Sequence, residues 1–377
     1  MKNILLHVGT HKTGSTSIQQ TFHNNREHLR KHDIHFLDFG PNHWHVYSAF
    51  MDDPWDWFEH RRMQRKKKEV DDMNSATLIS LKEEILNSAA NNIIISSEYL
   101  SQLSFCGITR MRDYLRDLGD VKVFYYCRNI ISWLSSDSQQ CAKVGMKTKP
   151  TCYNVAIQRL IDFPKNYIKV FGPAQFYLIR FEDAVEDGLC DTLLKIGGLP
   201  SLQDMGICAV KVNESISSNA TKAFFILNKV SPIFKNERSS HIVNVLKKMP
   251  GEKNIKITLT ADEIDDHNNK CDNMKSQYGF QMYDDISYSS EKDEDYKLDE
   301  NSAGYLLKAF NELALTHEAQ SKITSINVDS IRDAALEFEQ SNPKLACQLM
   351  EIAHKLRPKG QFIERKLEAY RNNIIAD

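Results

Sequence analysis

Leu6-His7-Val8-Gly9-Thr10-His11-Lys12-Thr13-Gly14-Ser15-Thr16-Ser17 joins an apolar run to a segment of helical spacing. Ile4–Val8 is apolar except for His7 and stops at Gly9, which reads as a buried strand. From Thr16 to about Lys31, Ile18, Phe22 and Leu29 recur at roughly helical spacing, so the chain opens as strand, loop, helix. A turn of this kind is an anion site, because the backbone N–H groups at a helix N-terminus point outward at the positive end of its dipole. Gly14 lets the backbone approach a ligand closely, while Thr13, Ser15, Thr16 and Ser17 add hydroxyl donors and caps. Lys12 brings a mobile positive charge. Gly9 and Gly14 have the spacing of the G-x-x-x-x-G-K-[ST] phosphate loop, but Ser15 stands where its lysine belongs and Lys12 comes two residues before the second glycine. A kinase or ATPase built this way would lack the charge that reaches the β- and γ-phosphates.

Outward from the loop, Asn92–Ser97, Val121–Cys127 and Gln175–Phe181 read as further strands, with helical patterns at Lys82–Ala90, Thr109–Leu118 and from about Asn129. Apolar strands alternating with helices predict an α/β, three-layer, P-loop-like fold around a central parallel sheet. Ligands in such sheets sit beyond the carboxyl ends of the strands, and Lys12, Glu98 and Arg128 all follow a predicted strand. Asp284–Glu300 carries eight acids against Lys292 and Lys297 and reads as a solvated linker. The expected organisation is therefore a domain over 1–284, an acidic linker over 285–300 and an all-helical extension over 301–377. Within that extension Ala334, Ala346, Ala353 and Pro358 have the spacing of the small residues and closing proline of a tetratricopeptide repeat. A plain helical cap fits the same residues. One such hairpin cannot bury its apolar face alone, so it packs on neighbouring helices, on the main domain, on a partner or on a second copy of the chain.

Composition narrows the field. The formal charge of −2 over 377 residues gives no general affinity for nucleic acid, so any anion site is local. The eight cysteines contain no C-x-x-C pair and suggest neither a disulfide framework nor zinc, and no metal-ligand spacing stands out. The first apolar run is too short for a signal peptide, and no stretch approaches the ~20 apolar residues that span a bilayer, which makes the cytoplasm the expected location.

The Leu6–Ser17 stretch resembles the 5′-phosphosulfate loop of bacterial, carbohydrate-type sulfotransferases that use 3′-phosphoadenosine 5′-phosphosulfate (PAPS), whose usual form is L-H-x-G-x-H-K-T-G-T/S-T-S. The resemblance implies sulfuryl transfer from PAPS, without a required metal, to a hydroxyl or amine of a small-molecule or glycan acceptor. A second, 3′-phosphate site is then required. The family's signature for it is a strand end, R-[ND]-P and a serine eight residues after the arginine. Arg128-Asn129 and Ser136 fit, with Ile130 in place of proline and Ser135 as an adjacent alternative. An arginine there can grip phosphate bidentately, and a serine two helical turns on can reach the same group. Arg180-Phe181-Glu182-Asp183 resembles the family's R-Y-E-D strand end, read as a structural turn, and Val212–Ser217 resembles a common bacterial segment. The likeness runs from about Met1 to Asp284.

Two residues compete for the general base. Glu98 ends its strand where cytosolic sulfotransferases keep a catalytic histidine, and partial burial there would raise its pKa. His45 lies after the first helix, where several glycan sulfotransferases place their base. Trp44, Trp55 and Trp57, followed by Arg61, Arg62, Arg65 and Lys66–Lys68, read first as an amphipathic element with a tryptophan core and a solvated basic face; a sugar-stacking, polyanion-attracting surface is the alternative. The rival functions are a P-loop kinase and a non-catalytic nucleotide-fold scaffold.

Overall fold

The computed structural model describes residues 1–211, 215–230, 240–283, 286, 300–319, 328–340 and 342–375. Ile4, Leu5 and Leu6 are all fully buried. Because successive strand residues point to opposite faces, a run apolar on both faces must be covered on both. That requirement puts the first strand in the middle. Five strands, β1 (Lys2–Gly9), β2 (Ile34–Phe36), β3 (Asn92–Ser96), β4 (Gly119–Cys127) and β5 (Phe176–Arg180), form one parallel sheet in the order β2-β3-β1-β4-β5. On one face Leu5, Ile94, Phe124 and Tyr126 pack with Ile18 and Phe22 of the Ser15–Asn24 helix and with Leu193 and Leu194 of the Leu189–Gly197 helix. On β4, the alternate residue Tyr125 meets Tyr167 of the Phe163–Phe171 helix, ring centroids 6.4 Å apart. Each fully buried aliphatic side chain contributes about 1.5–3 kcal/mol relative to exposure.

The three expected later strands are present within one or two residues at each end. β2 was not anticipated. It has only three residues, Ile34-His35-Phe36, too few for a period to show, and it adds to the outer edge of β3. The predicted Thr16–Lys31 helix is two helices, Ser15–Asn24 and Arg26–Lys31, separated at Asn25.

Packing divides the chain into two units. The first comprises Met1–Trp133, Cys152–Asn213 and Leu259–Ser289 and holds the sheet; the second comprises Leu134–Thr151, Glu214–Thr258 and Ser290–Asp377. This differs from the expected break at 284. Ala220, Ala223, Phe224 and Leu227 of the Ser218–Val230 helix are buried in one core with Leu306, Phe310, Ile331, Leu349 and Met350. Thus the Ser218–Val230 helix packs with the C-terminal helices even though the sequence shows no composition change there. The expected linker 285–300 lies outside the described residues apart from Ile286 and Glu300, as do Val212–Glu214 of the segment noted above. Among its described residues the C-terminal stretch forms four helices, Glu300–Ala319, Val328–Glu337, Pro343–Leu356 and Gln361–Ile375, with Ala334, Ala346 and Ala353 buried. The flanking helices of its own unit cover the hairpin's apolar face. Among the described residues no helix is long and apolar enough to cross a membrane.

His7 and His43 are among the histidines buried in the first unit. The His7 Nδ1 lies 2.7 Å from the Ser96 hydroxyl across β1 and β3. His43 is fully buried: its Nδ1 accepts from the Ser96 N–H and its Nε2 donates to the Leu37 carbonyl, each at 3.1 Å. Burial lowers both pKa values to about 3. A base whose folded pKa is depressed leaves the unfolded chain binding more protons, so stability is full above about pH 6.5 and is lost as pH falls toward 3. Unfolding measured in urea is expected to weaken by about 1.5 kcal/mol per buried histidine between pH 6.5 and 5, a window that most carboxylates do not titrate. A flat profile over that window contradicts the assignment.

Candidate functional site

Gly9 ends β1 with φ 91°, and a Cβ there would meet the Glu98 Cα at 2.8 Å. Only glycine lets the β1 and β3 strand ends converge so closely. Five residues on, Gly14 takes φ 75° as the N-cap of the Ser15–Asn24 helix, with no side-chain cap and no acid in the first turn. Between the glycines Lys12 itself is left-handed, φ 68°, a conformation that costs a non-glycine residue about 1–2 kcal/mol and persists only when its surroundings impose it. The loop's carbonyl oxygens are turned into the protein. Those of Thr10 accept from the Thr13 and Ser15 hydroxyls, that of His11 from the Trp133 indole N–H at 2.9 Å, and that of Lys12 from the Arg128 Nη1 at 3.0 Å. The Gly14 carbonyl takes the N–H groups of Ser17 and Ile18. An anion at this turn therefore meets donors rather than acceptors. Thr13 and Ser15 are buried, whereas Lys12, Thr16 and Ser17 are half-buried.

Arg128 follows β4, which pairs directly with β1. Its guanidinium lies over the Phe181 ring at 4.9 Å, and its nearest carboxylate is Glu182 at 3.9 Å. That carboxylate is already engaged by the Tyr283 hydroxyl and the Asn129 N–H. The Arg128 Nε is buried and has no hydrogen-bond partner. Burial pulls the Arg128 pKa down, Glu182 pushing back against it. Arg128 is half-buried and ion-paired with Glu182, but its Nε still lacks a hydrogen bond, which an anionic ligand can supply. Arg180-Phe181-Glu182-Asp183, expected as a turn, thus also provides the bed on which Arg128 rests.

On the other side of β1, the Glu98–Gln102 3₁₀ turn follows β3. Glu98 accepts from the Gln19 amide at 2.6 Å, and burial raises its carboxyl above the usual range, partly countered by that hydrogen bond. Gln102 fixes a tautomer. Its Oε1 accepts from Arg159 Nη2 at 3.3 Å, and arginine can only donate, so the amide NH₂ faces the His11 Nε2 at 2.7 Å. His11 therefore accepts at Nε2 and carries its proton on Nδ1. Burial, then Arg159, then Lys12 lower its pKa to about 3, which keeps the ring neutral.

His45 and Ser136 stand apart from these contacts. The His45 ring stacks on Trp44 at 3.6 Å, with its Nδ1 buried and unpaired, and burial followed by Arg65 lowers its pKa. Ser136 is on the Ile130–Lys143 helix, in the Leu134–Thr151 segment that packs with the second unit. The neighbouring Ser135 hydroxyl is buried without a partner. Of the tryptophans, Trp57 is core, whereas Trp44 and Trp55 are half-buried under Arg65 and Lys67 respectively. A cleft of about 440 Å³ opens beside Gln102, walled by Tyr47, Trp57 and Phe58 and edged by Asp52, Asp53 and Asp56. Of the basic run, only Arg61 lines it.

The sequence reading missed Gln19, Gln102, Trp133, Arg159 and Tyr283. Trp133 had a signal: it sits on the turn of helix just after Arg128. Arg159 and Tyr283 had none, being polar residues far along the chain with no motif around them.

No family model matches the chain, and no curated protein matches it. Among solved structures it is similar to the crystal structure of a sulfotransferase from Alicyclobacillus acidocaldarius, at 13% identity and a TM-score of 0.36, over 74% of this chain and 96% of that one. A likeness that distant carries no functional argument.

Proposed function

We propose that the chain transfers a sulfuryl group from PAPS to a hydroxyl or amine of an acceptor of carbohydrate size. The observation that supports this best is the Arg128 guanidinium: one nitrogen donates to the Lys12 carbonyl while Nε is buried without a partner. An under-satisfied cation is thereby fastened to an anion-binding turn, as a nucleotide with phosphates on both its 5′ and 3′ positions requires. Thr13–Ser17 and the helix N-terminus would receive the 5′ group, and Arg128 the 3′-phosphate. The donor supplies an activated sulfuryl group; the protein's part is to position and to balance charge. In this reading Lys12 offsets charge on the leaving oxygen. Glu98 takes the acceptor proton, because burial raises its pKa and Gln19 orients its carboxylate. His45, whose basicity is lowered, holds that role only if Glu98→Gln leaves turnover intact. The aromatic walls and carboxylate edge of the cleft beside Gln102 suit a ring bearing hydroxyls or an amine.

Calorimetry with 3′,5′-phosphoadenosine (PAP, the desulfated product) and with magnesium ATP tests the reading. PAP is expected to bind without metal, and magnesium ATP at least about tenfold more weakly, a difference of one phosphate contact. Magnesium-dependent ATP binding with no PAP affinity would return the assignment to a kinase.

A further inference from the structure

Arg159 carries the same mark as Arg128. Its Nη1 is buried and has no hydrogen-bond partner, while its Nη2 donates to Gln102 at 3.3 Å. Its position is set by β4. The Tyr125 hydroxyl donates to the Arg159 carbonyl at 2.6 Å, and the Cys127 thiol lies 3.8 Å from the next carbonyl, that of Leu160. These residues form a single turn of π-helix, Gln158–Asp162, a local widening that re-aims side chains and recurs at functional sites. Two guanidinium groups thus border the loop, each with an unsatisfied buried donor: Arg128 through the Lys12 carbonyl and Arg159 through Gln102 to the His11 ring.

PAPS presents three anionic groups, and three cations belong to or border the loop: Lys12, Arg128 and Arg159. Arg128 and the Lys12 turn account for the two phosphates. The sulfuryl end projects from the 5′-phosphate, and the acceptor oxygen and its base must approach it closely. Glu98 and Gln102 belong to one short turn, so the side of the loop that carries the base is the side that Gln102 shares with Arg159. We infer that Arg159 is a ligand for the sulfuryl oxygens of the donor, an assignment that rests on the sulfuryl-transfer reading above. Gln102 is a positioning residue: it ties the guanidinium to His11, whose neutral ring adds no competing positive charge. Oxygen charge that persists through the transfer is then met by a fixed donor instead of by reorganising water.

The test compares donor with product. For wild type, Arg159→Gln and Arg159→Lys, calorimetric affinities for PAP and for PAPS are measured without acceptor, alongside thermal melts. Arg159→Gln is expected to weaken PAPS about tenfold or more while leaving PAP within about twofold, since one charge-assisted contact is lost from the sulfuryl end alone. Arg159→Lys keeps the charge but not the fork and is expected to fall between; it carries the comparison if the glutamine variant does not fold. Equal weakening of PAP and PAPS, or unchanged affinity for both with a raised acceptor KM, overturns the assignment. A wild-type protein that binds neither nucleotide removes the sulfuryl-transfer reading itself, a separate failure.

Discussion

Glu98→Gln is expected to lower kcat by about 10²–10⁴-fold, the usual contribution of a positioned general base, while PAP affinity stays within about twofold. The amide keeps the shape of the side chain and can still accept from the Gln19 amide, which donates to Glu98 at 2.6 Å in the native protein. What it loses is the capacity to take a proton. Burial raises the Glu98 pKa above the usual carboxylate range, so the wild-type rate is expected to fall as pH drops through that raised value, and the variant to lack this acid limb. The stability effect has the opposite sign. A carboxyl whose folded pKa exceeds its unfolded one contributes stability below the unfolded pKa and loses it as pH rises through the folded pKa. Near pH 8 the glutamine variant should therefore melt at or above the wild-type temperature. Rate constants and melts across pH 5–9 check both halves. A variant that turns over normally moves the base to His45.

Arg128→Ala is expected to weaken PAP about 100-fold. A bidentate, charge-assisted grip on phosphate is worth about 3 kcal/mol in a partly buried site, and each 1.4 kcal/mol is tenfold. Arg128 has a second task, since its Nη1 holds the carbonyl of the left-handed Lys12 residue. Loss of that bond contributes about 0.5–1.5 kcal/mol and loosens the 5′ turn as well. Arg128→Lys keeps charge but cannot both reach the Lys12 carbonyl and offer a fork, so it restores only part of the loss.

How much of this was visible beforehand follows from how local each signal is. The Ile4–Val8, Asn92–Ser97 and Val121–Cys127 runs were legible because a strand buried on both faces is apolar at consecutive positions rather than alternate ones. The Gly9–Ser17 turn was legible because positive φ and close approach restrict residue type, and the structure puts both demands on Gly9 and Gly14. β2 was not, for Ile34-His35-Phe36 is stabilised by its neighbour β3 more than by its own pattern. Arg128 was readable as a strand-end arginine, whereas the Tyr283 and Asn129 contacts that share Glu182 with it exist only after folding. Arg159 and Gln102 meet across 57 residues of chain, a contact that no spacing rule encodes. The second unit's membership was missed for a different reason: Ala220, Ala223, Phe224 and Leu227 do have helical spacing, but apolar spacing does not say which core a helix joins.

Titrating wild type and Arg128→Ala with PAP and with adenosine 5′-phosphate, which lacks the 3′-phosphate, tests the central claim most directly. If one nucleotide spans the Lys12–Ser17 turn and Arg128, wild type prefers PAP by about 100-fold, and the variant binds the two alike with adenosine 5′-phosphate only a few-fold weaker than before. A wild type indifferent to the 3′-phosphate, or a variant that keeps the preference, contradicts it.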